Sequence, residues 1–293
     1  LKVIIVVGLI LAMLVPTPFI LSLIQERRER KEKVVKEEGE RFGGNQTIYG
    51  PFVKLPYTVV SDSSKVKTVK YLYISPKELT INGDLNPVSK HRGLFDILLY
   101  QAKLDIEADF DPSSFASLNP DGNYDWEKAE VVFSVSDSKG LEENLNFKID
   151  GVNFPAEMDQ SIDVGENIPS TDEYSSPQPK LVEQFKVPVS LLEKRKLKLF
   201  IPLSLKGMGA LNFPPISKST RIKINTPIQD LKFYGSASPI DTAKEKNRTL
   251  EWKVPSRGNS QIWANTWEYG KNKFGVEIIQ PNNEYGKTNR VAK

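Results

Sequence analysis

The 293-residue sequence contains no cysteine and a single histidine, His91. The first absence removes disulfides, thiolate metal sites, iron–sulfur clusters and cysteine nucleophiles. The second leaves nothing for a multi-histidine metal site. An excess of one charge is also missing: 40 basic against 37 acidic residues give a net charge of +3. Such a balance provides no electrostatic footprint for nucleic acid or for a polyanionic substrate. No G-x-G-x-x-G, G-x-x-x-x-G-K-[ST] or G-x-S-x-G stretch occurs, so the signatures of dinucleotide, P-loop and hydrolase sites are lacking too. The first residue is Leu1 rather than methionine, as expected of a fragment or a processed form.

What is present begins with an uncharged run of 22 residues, Val3 to Ile24. At about 1.5 Å rise per residue, such a helix crosses the roughly 30 Å hydrocarbon core of a bilayer. Pro16 and Pro18 predict a kink or a loosened turn inside it. The run is longer than the apolar segment of a signal peptide, and no A-x-A-like site follows it. Residues 1–24 are therefore expected to be an uncleaved transmembrane helix, with the lipid bilayer as partner of residues 3–24. From Gln25 to Phe42 the chain carries seven basic and six acidic residues. Glu26–Arg30, Glu29–Lys33 and Glu32–Lys36 are acidic-then-basic pairs four apart, which support an exposed helix. Residues 25–44 thus read as a charged, solvated stalk helix, weakened at Gly39 and ended by Gly43-Gly44. Lys and Arg near a span usually stay cytoplasmic, which would place the remainder of the chain inside the cell.

Residues 45–293 change to strand periodicity with frequent Pro and Gly. Strands are expected at Lys67–Ile74, Leu79–Ile81, Val131–Val135, Leu145–Ile149 and Phe185–Val189. More are expected at Leu197–Leu205, Thr220–Asn225, Leu250–Val254, Gln261–Trp267 and Phe274–Ile279. Two further strands are expected within Leu94–Phe110, separated near Tyr100-Gln101. Asn82-Gly83 and Asp150-Gly151 carry hairpin-turn chemistry, and polar residues 159–180 read as a loop or linker. The fold class is mainly β: a membrane helix, a stalk, and a β-sandwich-like region of one large or two packed units.

Four features suggest chemistry. Asp105, Glu107, Asp109 and Asp111 alternate with apolar residues, so a strand would place them on one face about 6.6–7 Å apart, within the carboxylate spacing of inverting glycosidases. A solvated strand face is the simpler reading. Asp121, Asn123 and Asp125 imitate the start of an EF-hand loop, but Trp126 stands where Gly is required and Val132 where Glu is. His91 sits between Lys90 and Arg92, as a surface histidine would. Trp252, Trp263, Trp267 and Tyr269 suit a core or interface better than a ligand surface. Asn45 and Asn247 begin glycosylation sequons, meaningful only in a eukaryotic secretory setting. No catalytic, cofactor-binding or metal-ligating residue is assigned.

Several stretches, taken in order, resemble the CreD family of bacterial inner-membrane proteins. They start with the apolar span and Ile24-Gln25-Glu26-Arg27-Arg28-Glu29-Arg30, then Gly50-Pro51-Phe52-Val53-Lys54-Leu55-Pro56-Tyr57. Pro76-Lys77-Glu78-Leu79, Asn82-Gly83-Asp84, Arg92-Gly93-Leu94-Phe95 and Tyr100-Gln101-Ala102 follow, then Ser136-Asp137-Ser138-Lys139-Gly140. Leu203-Ser204-Leu205-Lys206-Gly207, Phe233-Tyr234-Gly235 and the stretch from Phe274 to Lys293 complete the series. The resemblance implies a periplasmic strand-rich domain at the bacterial inner membrane, followed by further membrane helices, with a role in envelope integrity and no established catalytic residues. It implies the opposite orientation to the basic cluster at residues 27–36. The expected function is non-enzymatic binding or sensing, with an envelope protein or a lipid as partner. The alternatives are a glycan-acting enzyme using residues 105–111 and a β domain carrying a lipid or peptide between its sheets. If Lys293 precedes the next membrane helix, it belongs on the membrane-proximal side, alongside the stalk.

Overall fold

The computed structural model describes residues 16–60, 66–93, 95–111, 123–168, 178–190, 196–244, 247–255, 262–264 and 273–280. Helix α1 (Pro16–Phe42) opens it as one uninterrupted element, so the expected boundary between residues 24 and 25 is not a break in structure. Among the described residues no helix is long and apolar enough to cross a membrane. Residues 1–15 of the expected span lie outside the described set. Gly43 and Gly44 stop the helix as expected: both have positive φ, 91° and 50°, and the Gly44 N–H bonds the Gly39 carbonyl at 2.7 Å.

The rest of the fold is two mixed β-sheets, and neither closes into a barrel. One contains β1 (Gln46–Val60), β2 (Lys67–Ile74), β5 (Glu130–Val135), β8 (Glu157–Ile168), β9 (Gln178–Pro188), β11 (Ala210–Phe213), β13 (Leu231–Gly235), β16 (Ile262–Ala264) and β17 (Phe274–Ile278). Its path runs β13-β17-β11-β1-β5-β9-β8, with β2 on β1 and β16 on β2. The other contains β3 (Glu78–Arg92), β4 (Phe95–Phe110), β6 (Asn146–Ile149), β7 (Val152–Pro155), β10 (Leu197–Gly207), β12 (Ser219–Thr226), β14 (Ile240–Lys244) and β15 (Asn247–Pro255). Its order is β14-β15-β12-β3-β4-β10-β6-β7. The pairs β1–β11 and β3–β12 are parallel.

A single buried cluster draws residues from both sheets. Phe133 of β5 meets Phe147 of β6 edge-on at 6.3 Å. Trp252 of β15, fully buried, lies 6.3 Å from both Phe233 and Phe274 of the opposite sheet. Tyr100 of β4 donates its hydroxyl across the gap to the Ala210 carbonyl of β11 at 2.8 Å.

Two expectations are corrected and a third is narrowed. Asn82-Gly83 makes no turn but lies inside β3, between β12 and β4. A Cβ on Gly83 would collide with the Lys103 carbonyl and Leu104, so this glycine serves close strand approach rather than a hairpin. Leu94–Phe110 holds one 16-residue strand, not two. Leu99 and Tyr100 are both buried, so the alternation changes phase there while the pairing with β3 continues unbroken. Of residues 159–180, expected as a loop or linker, 159–168 lie in β8 and 178–180 in β9; β8 pairs with β9 and β9 with β5 in the same sheet, while 169–177 lie outside the described residues. Backbone pairing at a sheet edge tolerates the polar composition that suggested a loop. The Asp150-Gly151 turn stands as expected, with φ of 48° and 90°, joining β6 to β7.

Gly207 lies directly opposite Tyr100 in the β4–β10 pair, and a Cβ there would collide with the phenol ring. Gly207→Ala should therefore destabilise the fold by about 1–3 kcal/mol through overpacking, measured by urea unfolding at pH 7.

Candidate functional site: the junction of helix and sheets

The side chain of Gln46, at the start of β1, is fully buried. Its Nε2 donates to the carbonyls of Gly43 at 2.6 Å, Asp137 at 3.1 Å and Lys206 at 3.4 Å. Its Oε1 accepts from the Ser136 hydroxyl, which also donates to the Asn45 carbonyl at 2.8 Å. One amide thus ties the end of α1 to the turn after β5 and to the end of β10. Asn45 Oδ1 accepts from the Ala210 N–H, and the Met208 N–H bonds the Gly44 carbonyl, both at 2.8 Å. Gly39 packs closely here: a Cβ would sit 2.5 Å from Met208 Cε, so that flexible side chain would have to shift.

A second tie is electrostatic. Glu38, near the end of α1, is only 3% exposed. Its carboxylate meets Lys90 Nζ at 2.5 Å, Arg92 Nε at 2.7 Å and Arg41 at 3.5 Å. The hydrogen bond from Lys90 holds its pKa below the usual carboxylate range; burial opposes this, and the charges of Arg92, Lys90 and Arg41 add to it. Lys90 also lies over the Phe42 ring at 4.5 Å. The stalk is therefore not solvated throughout: its last turns are packed, while residues 16–30 are exposed. Of the expected helix pairs, Glu26–Arg30 forms at 2.6 Å, whereas Glu29 accepts a hydrogen bond from Gln25.

Between α1 and the turn joining β3 to β4 lies an open groove of about 870 Å³. The helix contributes the stripe Leu23, Arg27, Arg30, Lys33, Val34 and Glu37 to it, and Arg92, Gly93 and Phe95 form the opposite wall.

The residues singled out for chemistry lie elsewhere. Asp105, Glu107 and Asp109 are exposed on the outer face of β4, and Asp111 bonds Lys77 at 2.5 Å. His91 is exposed and meets Asp96 at 2.7 Å across the β3–β4 hairpin. Asp125 pairs with Lys128 in a turn; Asp121 lies outside the described residues, as do Trp267, Tyr269 and Lys293. Trp252 is core, and the Trp263 side chain is outside the described set. Among the described residues no cluster of His, Asp or Glu could hold a metal ion.

Sequence reasoning missed three polar clusters: the Glu38 clamp, a second one centred on Glu142, and a third on one sheet. Glu142 accepts from Gln101 Nε2, from Ser204 Oγ at 2.7 Å and from Lys206 Nζ at 2.7 Å. Lys54, Glu130, Asp159 and Lys186 form the third, with separations of 3.3–3.5 Å. Each joins residues far apart in sequence, so no local pattern announces it.

Fold and junction together define a helix-led, two-sheet β protein whose leading helix is locked to its body. The family model for "Inner membrane protein CreD" matches residues 1–293, and the chain belongs to the CreD family. It is 23% identical over 306 residues to inner membrane protein CreD of Escherichia coli (strain K12). That alignment takes in 98% of this chain and 63% of the relative, so the chain spans less than two thirds of its length. A solved protein from Parabacteroides distasonis ATCC 8503, provisionally described as a protease, aligns over 70% of this chain and 40% of its own. At 10% identity and a TM-score of 0.28, that likeness carries no weight.

Two measurements probe the ties. Glu38→Gln should lower stability by about 1.5–3 kcal/mol, the range for hydrogen bonds to a charged group, and speed amide exchange at Gly44 and Met208. Burial raises the pKa of Glu142, but the bonds from Gln101, Lys206 and Ser204 outweigh it and bring the value down to about 2 from 4.5. A depressed carboxylate stabilises the fold above its unfolded pKa, and that contribution fades as pH falls from about 4.5 toward 2. Denaturation series at pH 7, 4 and 3 should show Glu142→Gln losing less stability on acidification than the parent chain.

Proposed function

We propose that this chain is the membrane-anchored, periplasm-facing part of a CreD-type inner-membrane protein, with residues 3–24 in the bilayer. Residues 45–293 act there without catalysis, in envelope integrity or stress response, by binding or sensing. Family membership supports the inner-membrane setting. The observation that carries the mechanical part is the junction: from Pro16, inside the apolar run, α1 runs unbroken to a carboxylate clamp on the β body. A helix fixed in this way transmits tilt or displacement between membrane and sheets instead of acting as a slack tether.

The glycan-enzyme alternative needs two carboxylates converging on a cleft. Asp105, Glu107 and Asp109 lie exposed on an outer sheet face, so no observation favours it. Carriage of a ligand between the sheets needs an apolar cavity, and aromatic and aliphatic side chains of both sheets pack into that space.

The 293 residues contain no cysteine, so Thr68→Cys, at an exposed position of β2, gives one reporter thiol in this part of the protein. A membrane-impermeant maleimide should label it in cells with a permeabilised outer membrane and an intact inner one. Labelling only after inner-membrane disruption would overturn the periplasmic placement.

A further inference from the structure

The groove beside α1 has the chemistry of an amphiphile site. Along the helix, Leu23, Arg27, Arg30, Val34 and Glu37 follow one another at three- and four-residue spacing, so they share a face. The negative charges lining the groove are partly answered. Glu26 is paired with Arg30, and Glu38 with Lys90, Arg92 and Arg41. Arg27 and Lys33 make no ion pair among the described residues and line the same groove. Leu23, Val34 and Phe95 add apolar wall to it. A ligand that fits carries negative charge and a hydrocarbon part together.

We propose that this groove seats the headgroup of an anionic phospholipid, its phosphate against Arg27 and Lys33 and an acyl chain toward Leu23. The inference rests on the reading of residues 3–24 as a bilayer span. At about 1.5 Å per residue, Arg27 lies about 4.5 Å beyond Ile24 along the helix axis. The headgroup layer is about 5–8 Å deep on each side of the hydrocarbon core, so Arg27 falls within it. Lys33, about 13.5 Å beyond Ile24, comes down to that layer when α1 tilts. The membrane-facing end at Leu23 favours a lipid over a free anion, which would have no use for the apolar wall.

The test uses the full chain reconstituted in nanodiscs of equal phosphatidylglycerol and phosphatidylcholine, gently released, with retained lipid read by native mass spectrometry. Phosphatidylglycerol should be retained over phosphatidylcholine by about fivefold or more. Arg27→Gln/Lys33→Gln should reduce the preference to about twofold or less. Arg28→Gln/Lys36→Gln removes equal charge from helix positions that do not line the groove and should leave the preference intact. Both doubles alter exposed side chains, and equal thermal midpoints verify their folding. Equal retention of the two lipids overturns the site, and so does equal loss in both doubles, which marks diffuse surface charge. If 10 mM inorganic phosphate in pure phosphatidylcholine discs protects α1 from trypsin as well as phosphatidylglycerol does, the occupant is a free anion and the lipid assignment falls. A chain that fails to insert into either disc refutes the membrane reading itself, whereas insertion without preference refutes only the headgroup site.

Discussion

Everything on the helix side of the molecule hangs on how one buried amide is satisfied. Gln46 sits where the chain leaves α1 and becomes β1, and water does not reach its side chain. Three carbonyls from three separate segments converge on its nitrogen, and a hydroxyl from one of those segments meets its oxygen. Glutamate would place a negative charge against the same carbonyls, at a cost that no local partner offsets. The convergence also dictates its surroundings. A Cβ at Gly43 or Gly140 would press on the Gln46 amide, and at Gly140 on the Lys206 carbonyl as well. The start of β1, the turn after β5 and the end of β10 cannot move independently, and α1 leaves from their meeting point.

The Glu38 clamp turns that meeting point into a direction. A helix held only by its last residue could swing, but Glu38 lies a full turn earlier and is gripped from β3 by Lys90 and Arg92. Burial alone would favour a neutral carboxyl. The cations reverse that preference, so removing a single partner leaves charge in a poorly solvated place. The clamp acts at one end only, for residues 16–30 are exposed. The groove is the consequence: α1 lies beside the β3–β4 turn without closing on it, and Arg27 and Lys33 of its facing stripe are left to meet something else.

Much of the fold was legible because local chemistry and tertiary structure agree. Stretches such as Leu197–Leu205 and Thr220–Asn225 alternate cleanly, and they form strands with one face buried. The Gly43-Gly44 stop and the Asp150-Gly151 turn require positive φ and have it. Legibility failed where a neighbour from far away changes what a residue is for. Gly83 looks like a turn glycine until β12 and β4 close on both sides of it. The phase change at Leu99-Tyr100 looks like a break, yet outward-facing residues at that end of β4 are covered as well; Phe95 lies in the groove beside α1. Glu38 looked like one more solvated stalk charge because Lys90 and Arg92 are more than fifty residues away.

The motifs that carried the family resemblance can now be read physically. Gly50, with φ of 98°, forms the irregularity at which β1 shifts register against β5, beside the cis bond to Pro51. Tyr100 reaches across the two sheets to Ala210, and Gly207 makes room for its ring. Ser136 and Gly140 wrap Gln46. The buried phenol of Tyr100 is pushed above its ordinary pKa by desolvation, which makes it a dependable hydrogen-bond donor and a poor acid. These residues bend strands, admit close approach or donate single hydrogen bonds; none is placed beside another to move a proton or attack a substrate. Motifs built from such residues describe a scaffold that must hold a helix at a fixed angle to two sheets.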